Sequence, residues 1–140
     1  MPTLENTILL AVSAHRGRKD KAGEVYILHP LRVMLRMKTE EERTVAVLHD
    51  VIEDTNYSVK DLRKAGYSQK ILRSLDYLTR RDHEEYDQFI RRMKRDPLAR
   101  KVKIADIEDN LDLARIKHPK KSDFARMEKY RRALSELMKK

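Results

Sequence analysis

The sequence has no cysteine and no tryptophan, two phenylalanines, and only three glycines and four prolines in 140 residues. Without cysteine, disulfides and thiolate metal sites are excluded. Any metal must be held by His, Asp, Glu or Asn. A chain without thiols suits a reducing compartment. No apolar run approaches the roughly 20 residues that span a bilayer. The opening MPTLENTILLAVSAHRGRKD has no basic stretch ahead of its short apolar patch, so it does not read as a signal peptide. The expectation is a cytoplasmic protein with no membrane partner. Few aromatics leave little surface for stacking bases, and no nucleic-acid motif is recognisable, so no nucleic-acid partner is expected.

What the sequence does have is charge. Lys and Arg total 32 against 23 acids, a net charge of +9. Such a surplus favours anionic partners without choosing among nucleic acid, membrane surface and phosphorylated small molecules. Basic residues run along the whole chain and thicken at RRMKR (91–95) and HPKK (118–121). Most of them read as solvated surface.

Sparse glycine and proline leave most of the chain compatible with helix. Thr3 can cap a first helix with Leu4, Ile8, Leu9 and Val12 inward, ending near Gly17. RKDKAGEVYI is a loop, and HPLRVMLRM starts a helix with Pro30 in its first turn, where a missing N–H costs nothing. TEEERTVAVLHDVIED opens on a capping box, Thr39 with Glu42. Ser58 starts a short helix that Gly66 stops. SQKILRSLDYLT is another. Asp82 with Glu85 forms a second capping box for HEEYDQFIRRMKR. Asp96-Pro97 breaks that helix, and LARKVKIADIEDNLDLARI (98–116) follows. His118-Pro119 breaks again, and Ser122 can cap the last helix. No strand or hairpin is convincing. The pattern predicts one domain over residues 1–140, all-α, a compact orthogonal bundle of seven or eight short helices. It carries no signal for oligomeric state.

The stretch AVLHDVIEDT (46–55) looks built for burial, yet holds His49, Asp50, Glu53 and Asp54. On one helix, His49 and Glu53 are four apart and Asp50 and Glu53 three apart, so all three lie on neighbouring parts of one face. His49 and Asp50 can converge on a point off the helix, and a divalent metal is such a point. Its charge offsets the cost of gathering carboxylates in a partly apolar place. His29 in YILHPLRV and Asp106 in VKIADIEDNL are also set among apolar residues. A lone histidine on an apolar face is more often a hydrogen-bonded core residue than a ligand. The order His, His-Asp, Asp across three such segments says more than any one of them.

That order resembles the ligand order of the HD metal-phosphohydrolase superfamily. HRGRKDKAGEVYILHPLRV, AVLHDVIEDT and VKIADIEDNL together resemble the hydrolase domain of the Rel/SpoT family, over most of residues 8 to 116. The likeness is to its short, hydrolase-only members, such as the metazoan SpoT homologues. The resemblance implies an HD-domain fold, and an enzyme that removes the 3′-pyrophosphate of the alarmone ppGpp with Mn²⁺ or another divalent metal. It implies His29, His49, Asp50 and Asp106 as metal ligands, with Glu53 and Asp54 positioning and activating water. Arg18 and Lys19 would hold the nucleotide, and Asn110 would lie near the ribose. Arg80, in YLTRR, stands where the family has Lys. Leu111-Asp112-Leu113 replaces the family's Met-Arg-Thr and so puts an acid where an arginine is usual, with Arg115 as a partner for it. Two alternatives stay open. One is an HD phosphohydrolase acting on another nucleotide, such as a nucleoside monophosphate. The other is a non-catalytic helical module that binds nucleotide or RNA.

Overall fold

The computed structural model describes residues 1–112 and 115–139. Helices α1 (Leu4–His15), α2 (Leu28–Leu35) and α3 (Glu40–Leu48) lead into a single turn, α4 (Val51–Asp54). They are followed by α5 (Val59–Lys64), α6 (Gln69–Tyr77), α7 (Tyr86–Met93), α8 (Pro97–Asn110) and α9 (Lys121–Met138). Among the described residues no strand forms; one isolated antiparallel bridge joins Lys19 to Val25. Among the described residues, no helix is long and apolar enough to cross a membrane.

The bundle is arranged around α3. Val45, Ala46, Val47 and Leu48 are each 0% exposed, so the second half of this helix is apolar all round and must be enclosed, while Glu40 and Glu41 at its start stay exposed. It packs on α1, α2, α6 and α8. Each of the two valines and the leucine, fully buried, contributes about 1.5–3 kcal/mol. Leu62, Ile71, Leu75, Ile90, Met93 and Ile107 fill the core around it.

Local signals start most helices. Thr3 accepts the Asn6 N–H, and Thr39 and Glu42 form the expected capping box. Ser58 and Asp61 form another, and Gly66 takes φ +100° just beyond α5, a conformation that favours glycine. Asp96 caps α8 with Pro97 as its first residue.

Four expectations are corrected. Leu9 is 65% exposed, and α1 turns Thr7, Ala11 and His15 inward instead. Thr7 is tolerated there because its hydroxyl pairs with the Tyr67 hydroxyl at 2.8 Å. α7 begins at Tyr86 rather than after Asp82; the Glu85 N–H donates to Gln88, while residues 82 and 83 form a turn. α9 begins before Ser122, and its first turn is closed by Asp123, which accepts the Lys120 N–H. The predicted helix 39–54 is split at His49-Asp50, which raises the helix count. The end of the helix predicted over 98–116 includes Leu113 and Ala114, which lie outside the described residues; α8 itself stops at Asn110.

Asp96 joins several of these elements. Its Oδ2 accepts the Ser74 hydroxyl at 2.6 Å and the Ala99 N–H at 2.9 Å, and the residue is 6% exposed. Asp96→Ala therefore removes a helix cap and leaves a buried hydroxyl unpaired. Urea denaturation is expected to show a loss of about 1–3 kcal/mol; a loss within error of zero would contradict this account.

Candidate active site

The break after α3 creates the site. His49 stops the helix with its own ring: Nδ1–H donates to the Ala46 carbonyl at 2.5 Å, and the His49 N–H reaches the same oxygen at 3.4 Å. Asp50 then adopts φ −104°, ψ 0°, off the helical path, before α4 resumes. Two adjacent side chains can now face one point, because the backbone between them has turned. The sequence pattern placed them on one regular helix, and local side-chain-to-backbone bonding overrode it.

His29, in the first turn of α2, and Asp106, on α8, complete the group. One ligand atom from each of His29, His49, Asp50 and Asp106 lies within 4.8 Å of all the others. His29 Nε2 is 2.7 Å from Asp106 Oδ1, and His49 Nε2 is 3.1 Å from Asp50 Oδ2 and 3.3 Å from Asp106 Oδ1. Both imidazoles turn Nε2 to the centre because Nδ1 is engaged elsewhere: His49 on Ala46, His29 on Asp109 Oδ2 at 2.6 Å. The Tyr26 hydroxyl donates to Asp50, Lys103 Nζ sits 2.8 Å from Asp106 Oδ2, and Asn110 Nδ2 donates to Asp106 Oδ1 at 3.1 Å. Two buried imidazole nitrogens and two carboxylates, with no thiolate, suit a first-row divalent ion, and these residues fit one.

Electrostatics follow from burial and proximity. Burial alone would lower both imidazolium pKa values. Hydrogen bonds to Asp106 and Asp109 override it for His29, which rises to about 9. The charges of Asp50 and Asp106 carry His49 well above 6.5. Burial works to raise Asp50 and Asp106, but the His49 charge, and for Asp106 first Lys103, holds both low. Glu53 and Asp54 are exposed at the rim on α4. Partial desolvation and then the charge of Asp50 raise both carboxyls.

These groups open onto a cleft of about 510 Å³. Its walls include Arg18, Lys19 and Asn110, as well as His29, Asp50, Asp106, Glu53 and Asp54. Arg18 is heavily engaged: it lies 4.1 Å over the Tyr26 ring, 3.0 Å from His15 Nδ1 and 3.8 Å from Asp54 Oδ2. His15 can accept from it because burial, foremost, depresses its imidazolium to about 4. Asp112 also lines the cleft, its Oδ2 3.8 Å from Arg115 Nε. Arg80 lies outside the cleft lining and donates to the Glu84 carbonyl at 2.9 Å. The sequence reading missed Lys21, Tyr26, Lys103, Arg126 and Tyr130, which line the same cleft. Lys103 had a signal, a lysine in an apolar run three residues before Asp106. Arg126 and Tyr130 had none, since only the packing of α9 brings them there.

The raised imidazoles set a pH window. Both histidines sit above the ordinary 6.5, so from there to about 9 the folded, metal-free protein holds protons that the unfolded chain releases. That part of its stability is complete below pH 6.5 and is lost as pH climbs through about 9. The carboxylates stay ionised throughout. A metal needs neutral imidazole, so its affinity should rise over the same range, with protons released as the ion binds. Thermal melts in EDTA and in Mn²⁺ across this window, with calorimetry in two buffers, check both trends. Parallel pH slopes with and without metal would contradict them.

No protein-family profile matches the chain. Its sequence is 34% identical over 122 residues to the bifunctional (p)ppGpp synthase/hydrolase SpoT of Escherichia coli (strain K12), covering 77% of this chain and 17% of that protein. It is 30% identical over 139 residues to the guanosine-3′,5′-bis(diphosphate) 3′-pyrophosphohydrolase of Vibrio cholerae, covering 88% of this chain and 20% of that one. It is 29% identical over 137 residues to a GTP pyrophosphokinase of Streptomyces coelicolor, covering 88% and 16%. The chain thus spans at most 20% of the length of these relatives. In three dimensions it superposes on a metazoan orthologue of SpoT with a TM-score of 0.77 at 21% identity, over 98% of this chain and 86% of that one. The chain therefore has the all-α fold of that SpoT orthologue, and its resemblance to the Rel/SpoT hydrolase domain extends over most of its length.

Proposed function

We propose that the chain is a divalent-metal-dependent phosphohydrolase that removes the 3′-pyrophosphate of ppGpp, with Mn²⁺ as its metal and the cytoplasm as its place of work. One observation carries this: four metal-ligand side chains converge at a cleft whose walls carry further carboxylates, Glu53 and Asp54 among them, and several cations. The names of the relatives, among them a ppGpp 3′-pyrophosphohydrolase, support the choice of substrate.

His29, His49, Asp50 and Asp106 would hold the ion. When bound, it lowers the pKa of a water and polarises a phosphoryl oxygen. Glu53 and Asp54 are placed to take the proton of the attacking water, and partial burial beside Asp50, which raises both carboxyl pKa values, makes them better acceptors. Water adds to the phosphorus and the bond to the 3′ oxygen breaks, giving GDP and pyrophosphate. Lys103, beside Asp106, and Arg126 offset charge on the phosphate oxygens, and Arg18 and Lys19 bind the nucleotide. Asn110 faces the ribose. A lining with this many cations suits a ligand with two phosphorylated ends better than a monophosphate.

Glu53→Gln keeps size and hydrogen bonding but removes the base. Turnover is expected to fall about 10²-fold or more, with metal content near wild type; loss of metal would make Glu53 a ligand instead. The substrate is tested by assaying ppGpp beside GMP, dAMP and GTP. ppGpp should be cleaved fastest, and Arg18→Ala/Lys19→Ala should weaken that preference at least tenfold. Turnover of a monophosphate with ppGpp untouched would keep the metal chemistry and remove the alarmone. Phosphate or pyrophosphate release from none of the four would favour a binding module.

A further inference from the structure

Asp109 is 4% exposed and is not one of the four converging ligands, yet three side chains end on it. His29 Nδ1 is 2.6 Å from its Oδ2. Arg32 makes a two-pronged contact, Nε to Oδ1 at 2.8 Å and Nη2 to Oδ2 at 3.1 Å. Arg115 places Nη1 3.5 Å from Oδ2 and donates from Nη2 to the Asp109 backbone carbonyl at 2.6 Å.

We infer that Asp109 is a positioning residue for metal binding: held by Arg32 and Arg115, it takes the Nδ1–H of His29 and so aims Nε2 at the metal centre. The inference rests on the metal reading above and not on the identity of the substrate.

The two histidines show why the carboxylate is needed. His49 locks itself, since its Nδ1–H donates to its own helix at the Ala46 carbonyl. His29 has no such partner on α2, whose N-cap, Ile27, makes no side-chain hydrogen bond. Its lock comes from α8, eighty positions along the chain. Spacing makes this possible. His29 and Arg32 are three apart on α2, and Asp106 and Asp109 are three apart on α8, so each pair shares a helix face. The imidazole is thus gripped at both nitrogens, by Asp106 at Nε2 and by Asp109 at Nδ1. A metal arriving on the Nε2 side leaves the Asp109 bond intact, and a carboxylate on the far nitrogen strengthens imidazole as a donor. A buried carboxylate facing one imidazole alone would be poorly compensated; the Arg32 fork supplies the charge-assisted bonds that hold it ionised and in place.

A brace that only ties α2 to α8 would give the same contacts, so the test must separate the two roles. Dissociation constants for Mn²⁺ alone, and the visible spectrum of the Co²⁺-loaded protein, are measured at a temperature where every variant is folded. Asp109→Ala is expected to weaken Mn²⁺ binding 10–100-fold and to shift the Co²⁺ bands. Asp109→Asn, which keeps an acceptor oxygen, should recover part of the loss. Arg32→Met should weaken binding several-fold by freeing Asp109, and the surface control Arg131→Ala should leave it unchanged. If Asp109→Ala is folded and binds Mn²⁺ within twofold of wild type, even with a lowered Tm, the inference is overturned. If Asp109→Ala does not fold, Asp109→Asn decides in the same way. Wild-type protein that binds no divalent ion would instead overturn the metal reading itself.

Discussion

Everything in this structure accommodates two carboxylates that the fold has taken out of water. Asp50 and Asp106 face each other across a floor made of helix ends, where negative charge without a counter-charge would cost several kcal/mol per group. The protein supplies positive charge in two forms. Lys103 is a permanent one, buried against Asp106 and held protonated by that contact against the effect of burial. The imidazoles are exchangeable ones, protonated when no ion is present. The centre is therefore prepared for a cation, and in its absence protons take the same place between the same side chains.

The cleft above is layered by charge. Carboxylates form the floor and part of the rim, and basic side chains form the walls. This layering gives meaning to a fraction of the basic surplus. Many of the remaining cations pair on open surface, as Lys70 does with Glu41 and Arg131 with Glu128. Such pairs contribute little to stability. Those that line the cleft are held by packing: Arg18 on the Tyr26 face, Arg126 on Asp123, Lys103 on Asp106 with the Phe89 ring 5.5 Å away. Immobilised cations lose less entropy when a phosphate arrives, so they can bind it better than free surface lysines.

Much of this was legible from residues close together in sequence. Capping boxes, the glycine after α5 and the Asp96-Pro97 break act within one turn, and the structure follows them. The departures share a cause as well: Leu9, Asp82 and Ser122 each fit a local rule, and a tertiary contact or a competing cap nearby prevailed. At the site, the four residues picked as metal ligands stood out because each was polar inside an apolar run. The manner of their convergence did not, since a regular helix through His49 and Asp50 is what the spacing suggests. Asp109 was obscured in the acid-rich IEDN, where nothing marks it as buried beside Arg32. Arg126 and Tyr130 were illegible because α9 reads as a charged surface helix until it is packed on α8.

Lys103 has one further consequence. In the neutral-imidazole state the floor holds two negative carboxylates and one positive ammonium, hence one net negative charge. A divalent ion reverses that sign. An acidic floor without the lysine would grip the ion more tightly but would end electrically neutral. With it, some hold on the metal is exchanged for a centre that stays positive once loaded. Such a centre draws anions toward it and holds them by charge alone, before any side chain on the walls makes contact.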